Sequence, residues 1–141
     1  MINISLRPHH KMKEITNTNN AILQINLNNI KNNYNYLKKT APNTIIAACV
    51  KANSYGLGIS EICHTLYKQN CRDFFVATLE EALSLRKKYK YVNIYMLNGV
   101  NNLETFVEVI ESNIITVVNN LDQFFILKSF FKVNKKRIKC C

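Results

Sequence analysis

The hydrophobic positions of this chain alternate between two periods. Short apolar runs of strand length are each followed by a segment whose apolar residues recur every three or four positions, which is the period of a helix. The pattern predicts strands at Ala21–Asn26, Thr44–Val50, Phe74–Ala77, Asn93–Leu97 and Ile114–Val118, with the opening of a further strand at Arg137–Cys141. It predicts helices at 28–40, 59–67, 78–88, Leu103–Glu111 and Leu121–Phe131. Repeated strand–helix units indicate an α/β fold with a parallel sheet, either an open doubly wound sheet or a barrel.

Local signals refine these boundaries. Asn28 is the predicted N-cap of the first helix, and Ala41-Pro42-Asn43 ends that helix. Thr78 and Glu81 have the spacing of a capping box. Thr44–Val50 is a continuous apolar run, which is typical of a strand buried on both faces. The apolar stripe predicted for the fourth helix consists of Leu103, Phe106, Val107 and Ile110.

Composition indicates one domain with a hydrophobic core. The chain has 141 residues, 48% of them hydrophobic, which excludes a disordered protein. Residues 1–20 are polar and aperiodic, so we expect a disordered N-terminal extension before a domain at residues 21–141. The formal net charge is +10, and residues 128–141 carry six basic and no acidic side chains. Because this excess lies at one end rather than on a folded face, it argues against nucleic-acid binding.

Cysteine and histidine spacing excludes several kinds of site. The five cysteines are odd in number and form no C-x-x-C pair, which favours reduced thiols in a cytoplasmic protein over a disulfide framework or a zinc site. His9, His10 and His64 are too scattered for a metal site, so no metal is predicted. Since the sequence has neither a span-length apolar run nor a secretory signal, no membrane partner is expected.

One segment, Ala48–Gly58, carries chemistry. An apolar strand leads directly into Lys51 and then into a loop with two glycines before the next helix. Sites in parallel α/β folds are built at the carboxyl ends of the strands, where the amine of Lys51 can act as a nucleophile toward a carbonyl or as a proton carrier. Tyr55 offers a hydroxyl at the same rim, and Gly56 and Gly58 allow close approach of the backbone to a ligand. The alternative is that Lys51 simply reaches out to solvent from the strand end.

Nearby side chains have simpler interpretations. Cys49 shares its side of the strand with Lys51 by the period of two, and we interpret it as a small packed residue. Glu80 and Glu81 are interpreted as capping and solvated helix residues rather than as an acid–base pair.

The stretch C-V-K-A-N-S-Y-G-L-G resembles the cofactor-lysine motif of alanine racemases, V-V-K-A-(N/D)-A-Y-G-H-G. Flanking stretches agree in order and spacing. Residues 23–34 resemble the opening strand and first helix of the family, residues 75–86 resemble its F-A-V-A-x-x-x-E-A-x-x-L-R segment, and residues 94–99 resemble its next strand. The chain departs from the family where Asn26, Ser54 and Leu57 replace the usual Asp, Ala and His. The resemblance covers residues 21–118.

The resemblance implies a pyridoxal 5'-phosphate enzyme on a TIM-type (β/α)8 barrel that interconverts L-alanine and D-alanine for peptidoglycan precursors. It implies that Lys51 holds the cofactor covalently and is the catalytic base toward D-alanine. It also implies that Tyr55 hydrogen-bonds the cofactor phosphate and that Leu97 packs beside the cofactor. Members of the family are expected to be homodimers.

The length of the chain changes what this resemblance implies. A barrel alone takes about 250 residues, so the chain corresponds to the N-terminal half of one. In the family, the first strand joins a C-terminal β domain, and both a D-T-G-M segment with a cofactor-contacting arginine and a tyrosine base come after the matching region. We therefore expect a truncated fragment that is aggregation-prone or self-associates through open strand edges and that is inactive alone. Whether a complementary C-terminal fragment pairs with it is left open by the sequence.

Two other functions are weighed against this one. A non-catalytic pyridoxal-phosphate-binding barrel protein would share the strand-end lysine, but such proteins generally lack the Tyr55-Gly56 pair. A small basic binding protein would use the tail at Lys128–Lys139, and salt-sensitive retention on nucleic acid that survives Lys51→Ala would favour it.

Overall fold

Helices and strands alternate along the part of the chain that the computed structural model describes, residues 22–133 and 140–141. The helices there are α1 (Leu27–Thr40), α2 (Lys51–Tyr55), α3 (Ile59–Lys68), α4 (Leu79–Lys88), α5 (Leu103–Glu111) and α6 (Leu121–Val133). The strands are β1 (Ala48–Cys49), β2 (Asp73–Val76), β3 (Asn93–Met96) and β4 (Ile115–Thr116). The predicted extension at residues 1–20 and residues 137–139 of the predicted last strand lie outside this part.

The strands form one parallel sheet in the order β1-β2-β3-β4. Each strand pairs with its neighbour along the chain, as in a barrel, whereas a doubly wound sheet reverses its strand order at a switch point. The predicted α/β alternation is confirmed, and the strand order favours barrel-type winding. Beyond β4, Cys140 forms a parallel bridge with Thr116, which is where the predicted last strand would pair.

The two faces of the sheet differ in burial. One face is covered by the helices, and we call it the helix-side face; its side chains Phe74, Val76, Ile94 and Met96 are at most 1% exposed. The opposite face, which we call the inner face, carries Cys49, Asp73, Phe75, Asn93 and Tyr95. There the rings of Phe75 and Tyr95 stack with centroids 4.5 Å apart, and both side chains remain half-exposed.

The buried carboxylate of Asp73 has two donors on the inner face. Its Oδ1 atom accepts hydrogen bonds from Asn93 Nδ2 at 2.8 Å and from the Tyr95 hydroxyl at 3.0 Å. Burial and the hydrogen bond to Asp73 raise the pKa of Tyr95. The phenol therefore stays protonated and continues to donate to the carboxylate.

Two predictions about the strands are wrong. The run Thr44–Val50 forms a strand only at β1, an edge strand whose described partner is β2, and burial on both faces fails because Ile45 is 77% exposed and Cys49 is exposed. Of the predicted strand Ala21–Asn26, residues 22–26 form no strand and lead into α1, and Ala21 lies outside the described residues. The other strands begin or end within two residues of their predicted bounds.

Short helix α2 lies where a loop was predicted after Lys51, and the other helices follow the predictions closely, with two corrections. The N-cap of α1 is Asn26 rather than Asn28, because Asn26 Oδ1 accepts a hydrogen bond from the Asn28 amide at 3.0 Å. In α5 the predicted apolar stripe is wrong at Leu103 and Val107, which are 49% and 38% exposed. Val109 is buried instead, so α5 is rotated about its axis relative to the prediction.

Arg86 links the end of α4 to the amino ends of β3 and β4. Its guanidinium donates to five carbonyl groups, those of Tyr89 (3.2 Å), Lys90 (3.0 Å), Val92 (2.9 Å), Ser112 (3.1 Å) and Asn113 (2.7 Å). Burial lowers the pKa of Arg86, but an arginine remains charged under ordinary conditions. One planar side chain thus satisfies the carbonyls of two separate connections.

Candidate active site at the carboxyl end of the sheet

Lys51 lies directly after the buried Val50, at the carboxyl end of β1, as the motif predicts. The Val50 N–H donates to the Phe75 carbonyl at 2.8 Å, so the sheet holds the backbone up to the residue before the lysine. The Lys51 side chain is half-buried, and its Nζ atom lies 5.9 Å from the centre of the Tyr55 ring. A primary amine is therefore held at the rim of the sheet rather than fully solvated.

The backbone after Lys51 turns in the left-handed direction. The residues Ala52, Asn53, Ser54 and Tyr55 have φ between 50° and 56°. Non-glycine L-residues avoid this region at a cost of about 1–2 kcal/mol each, and consecutive examples are rare. Such strain persists only where the surrounding structure holds it, and it clusters at functional sites. Since only asparagine among these residue types favours the region, the sequence gives little signal for the turn.

Neighbouring segments hold the turn in place. Inside it, the Gly56 N–H donates to the Ala52 carbonyl at 3.0 Å. The Asn53 side chain accepts a hydrogen bond from the Ile59 N–H at 2.8 Å, which satisfies the first amide of α3. Gly56 and Gly58 have φ of 82° and 92°, angles that glycine adopts without strain, and they carry the chain from the turn into α3.

Glu81 has a second role that the sequence analysis missed. The predicted capping box is present, since the Glu81 N–H donates to the Thr78 hydroxyl at 3.3 Å and the Glu81 carboxylate accepts from the Thr78 N–H at 3.4 Å. Glu81 Oε1 also accepts from the Ala52 N–H, and Oε2 accepts from the Ala77 N–H, both at 2.7 Å. The interpretation of Glu81 as a capping residue and of Glu80 as a solvated one is confirmed, but the Glu81 carboxylate also bridges the segments that follow β1 and β2, a contact that the sequence did not predict. The position of Glu81 in the sequence could have indicated this role. A residue that caps the helix after β2 lies at the carboxyl edge of the parallel sheet, beside the loop that follows the neighbouring strand β1.

Tyr55 and Cys49 are in contact beside Lys51. The Tyr55 hydroxyl lies 3.3 Å from Cys49 Sγ, which is hydrogen-bond distance for sulfur. This hydrogen bond, followed by burial, raises the pKa of Tyr55, so the phenol is protonated at neutral pH. The interpretation of Cys49 as a packed residue is wrong, because its side chain is exposed.

Leu97 lies at the carboxyl end of β3, two strands away from Lys51. Its N–H donates to the Val76 carbonyl at 2.9 Å, and its side chain is half-buried. Because neighbouring strands lie about 4.8 Å apart, Leu97 and Lys51 are separated by about 10 Å along the rim. The three predicted site residues, Lys51, Tyr55 and Leu97, therefore share one edge of the sheet.

A buried amide fixes the loops beyond β3 and β4. Gln123 is 4% exposed; its Nε2 donates to the Asn98 carbonyl at 2.9 Å, and its Oε1 accepts from the Asn119 N–H at 2.9 Å. The Asn119 side chain in turn donates to the Leu97 carbonyl at 2.8 Å. Gly99, with φ of 70°, lies so close to Gln123 that a Cβ atom at position 99 would overlap the amide. Sequence reasoning missed this cluster, because asparagine is common along the whole chain and Gln123 forms no motif with its neighbours in sequence.

One polar atom of the turn is buried without a partner. Ser54 is 3% exposed, and its Oγ has no hydrogen-bond partner among the described residues. A buried hydroxyl without a partner costs free energy. The alanine that the family pattern has here would carry no such atom, so Ser54 adds to the cost of the turn.

Other candidate chemistry is sparse in residues 22–133 and 140–141. In these ranges no group of three or more His, Cys, Asp or Glu side chains is placed to hold a metal ion. His64 is exposed on α3, whereas His9 and His10 lie outside the described ranges. All five cysteines are free thiols. Among the described helices, none has the length and apolar character needed to cross a bilayer.

Sequence comparisons relate most of the chain to one family. The family model for the alanine racemase N-terminal domain matches residues 25–141. The alanine racemase of Rickettsia akari (strain Hartford) is 44% identical over 119 residues, which cover 84% of this chain and 33% of that protein. The alanine racemase of Rickettsia prowazekii (strain Madrid E) is 43% identical over 119 residues, 29% of its own length. The chain thus spans about a third of the length of the curated relatives it matches.

Solved structures share the fold. A crystal structure of alanine racemase from Bartonella henselae with covalently bound pyridoxal phosphate has a TM-score of 0.77 and 34% identity, covering 82% of this chain and 34% of that one. Biosynthetic alanine racemase from Pseudomonas aeruginosa has a TM-score of 0.68 and 29% identity, with coverages of 73% and 28%. The predicted α/β fold, the N-terminal part of a barrel, is confirmed.

Proposed function

The chain belongs to the alanine racemase N-terminal domain family, and from that premise we propose that it is the N-terminal part of a pyridoxal 5'-phosphate enzyme interconverting L-alanine and D-alanine. The observation that carries this proposal is the position of Lys51. This half-buried residue lies at the carboxyl end of β1, ahead of a strained turn that neighbouring segments hold in place. The family relationship favours this function over a non-catalytic cofactor carrier and over a basic binding protein.

The residues at the strand ends fit the cofactor. Its aldehyde needs a reachable primary amine, which Lys51 offers, and its phosphate needs a donor, which the 62% exposed Tyr55 phenol offers. Its ring needs an apolar side chain at the same rim, and Leu97 lies about 10 Å away along that rim. When bound, pyridoxal phosphate supplies an electron sink that stabilises negative charge on the α-carbon of an amino acid.

Lys51 has two roles in this proposal. Its Nζ atom holds the cofactor covalently and, when free, moves the proton at the α-carbon on one face of the substrate. Racemisation needs a second proton-transfer group on the opposite face, and none of the described residues matches it. We assign that group to the part of the relatives' length that this chain does not span.

The wider setting is part of the same proposal. Residues 21–141 form the N-terminal barrel segment after an extension at residues 1–20, and a complementary C-terminal segment completes the barrel. The complete enzyme is a cytoplasmic homodimer that acts on alanine and supplies D-alanine for peptidoglycan precursors. The free thiols agree with a reducing compartment.

The covalent role of Lys51 is tested by trapping. The 141-residue chain is incubated with pyridoxal phosphate, reduced with borohydride and mapped by peptide mass spectrometry. We expect the label on the peptide that contains Lys51, its loss in Lys51→Ala and its retention in Lys68→Ala, a change at an exposed lysine that ends α3. A label spread over several surface lysines and unchanged in Lys51→Ala would overturn the proposal.

An activity assay tests the proposal that this chain supplies Lys51 while a different segment supplies the proton-transfer group on the opposite face of the substrate. We expect no measurable conversion of L-alanine to D-alanine by the chain alone, because the opposite-face group is supplied by another segment. Conversion should appear when the complementary part of a relative such as the Rickettsia akari enzyme is added. Turnover by the chain alone that disappears in Lys51→Ala would contradict this division.

A further inference from the structure

We propose that Glu81 is a positioning residue for Lys51, an inference that rests on the proposed function of that lysine. Its carboxylate fixes the backbone that follows Lys51 and so sets the direction in which the amine leaves the sheet. Glu81 itself touches neither substrate nor cofactor in this proposal. It acts through the peptide unit between Lys51 and Ala52.

The contacts of the carboxylate join two neighbouring strand ends. The backbone ladder between β1 and β2 ends with the hydrogen bond from the Val50 N–H to the Phe75 carbonyl at 2.8 Å. Beyond that point Glu81 replaces the ladder. It accepts from the Ala52 N–H and the Ala77 N–H at 2.7 Å each, a short distance typical of a charged acceptor.

The Ala52 contact matters because peptide units are planar. The Ala52 N–H and the Lys51 carbonyl belong to one rigid unit, so holding the N–H restricts both φ and ψ of Lys51, and φ sets the direction of its Cβ atom. Ala52 is also the first left-handed residue of the turn, with φ of 50° and ψ of 51°. A strained turn needs an anchor at its start, and the Glu81 carboxylate lies at that start.

The capping role of Glu81 can be separated from this one. Thr78→Ala removes the hydroxyl that accepts from the Glu81 N–H but leaves the contacts with Ala52 and Ala77 in place. Glu81→Gln keeps the size of the side chain, yet its amide places an NH2 group where one carboxylate oxygen stood, so one of the two N–H groups faces a donor instead of an acceptor. Glu81→Asp keeps the charge on a shorter side chain that cannot span the two strand ends.

Hydrogen exchange tests the anchor in the 141-residue chain at low micromolar concentration. In a peptide covering residues 50–57, we expect Ala52 to exchange at least about tenfold faster in Glu81→Gln and in Glu81→Asp, and within about twofold of the parent rate in Thr78→Ala. Exchange in β3 is the control for global folding. Unchanged protection of Ala52 in both Glu81 variants, or an equal loss in Thr78→Ala, would overturn the proposal.

Cofactor trapping gives the second readout. We expect borohydride labelling at Lys51 to fall about tenfold in Glu81→Gln and to remain within about twofold of the parent in Thr78→Ala, because only the first change frees the turn. If the parent chain carries no label at Lys51, the proposed function fails, while the exchange of Ala52 still decides whether Glu81 anchors the turn. Full labelling in Glu81→Gln would refute the positioning role.

Discussion

The two faces of one strand have different tasks in this molecule. On β2, the neighbouring residues Phe74 and Phe75 point in opposite directions: Phe74 is fully buried against the helices, whereas Phe75 is half-exposed and stacks on Tyr95. The helix-side face is a filled core of apolar side chains. The inner face adds a carboxylate, an amide, a phenol and a thiol, and its carboxyl end carries Lys51.

The helix-side face thus contributes mainly to stability, whereas the inner face carries the polar side chains near the candidate site. The helices of the described chain are sufficient to bury the helix-side face, so that face carries most of the hydrophobic stabilisation. The inner face of a barrel is normally filled by side-chain layers from all of its strands. Changes on the two faces should therefore have unequal effects on folding, and the following experiments test that inequality.

Truncating each phenylalanine of β2 tests the comparison most severely. We expect Phe74→Ala to lower the free energy of unfolding by about 3–5 kcal/mol, because it removes a fully buried ring and leaves a cavity. Phe75→Ala should cost about 1–2 kcal/mol, the value of one aromatic stack and partial burial. Urea titration followed by far-ultraviolet circular dichroism measures both. Equal losses of stability in the two variants would show that the inner face is as well buried from solvent as the helix-side face.

Removing the Arg86 guanidinium tests how much the hydrogen bonds between the end of α4 and the segments before β3 and β4 contribute to stability. Arg86→Met keeps much of the side-chain volume but leaves five carbonyl groups without their donor, and we expect a loss of about 2–4 kcal/mol. Arg72→Met is the matched control, since Arg72 donates to two carbonyls close by in the chain, that of Tyr67 in the last turn of α3 and that of Cys71. The same titration applies. A smaller loss in Arg86→Met than in Arg72→Met would contradict this account.

Alkaline pH gives the most specific test, because one variant isolates the protonation of a single buried thiol on the helix side of the sheet. Burial raises the pKa of the Cys63 thiol to about 12, from an ordinary value of 9.0. Above pH 9 the unfolded chain loses this proton while the folded chain keeps it, so the stabilisation is complete below pH 9 and decreases as the pH rises toward 12. The free energy of unfolding should fall by up to about 1.4 kcal/mol per pH unit from this group.

Two cysteine variants isolate that slope. Cys63→Ala, at a fully buried position, should flatten the decline of stability above pH 9. Cys140→Ala, at an exposed position, should leave the decline unchanged. An identical slope in the parent and in Cys63→Ala would show that the Cys63 thiol is not protected from ionisation by folding.

Much of the fold could be predicted from the sequence, because it depends on local patterns. The capping box at Thr78 and Glu81 and the apolar spacing of α3 predict helix boundaries correctly, since caps and periodicity act within one element. Strand length was overestimated at Thr44–Val50, because an apolar run does not reveal that its strand lies at an edge. The wrong stripe in α5 has a similar origin, since the rotation of a helix is set by the sheet it packs on.

The candidate site was predicted in part. The position of Lys51 follows from a strand that ends in a loop with two glycines. The left-handed turn does not, because Ala52 and Ser54 have no preference for that conformation and hydrogen bonds from distant segments decide it. Glu81 and Gln123 were missed for the same reason: the atoms they hold lie on other strands' loops, up to 29 residues away along the chain.

The turn after Lys51 also has a stereochemical consequence. Reversing the signs of its φ and ψ angles gives the values of an ordinary right-handed helix, so a D-amino acid would adopt this backbone without strain. A semisynthetic chain with D-alanine at position 52 would keep the methyl group and relieve the strain. Glycine would relieve the strain too, but it would also raise the conformational entropy of the unfolded chain. A polypeptide of L-residues thus uses the hydrogen bonds of its neighbours to hold four residues in a conformation that its mirror image would adopt unaided.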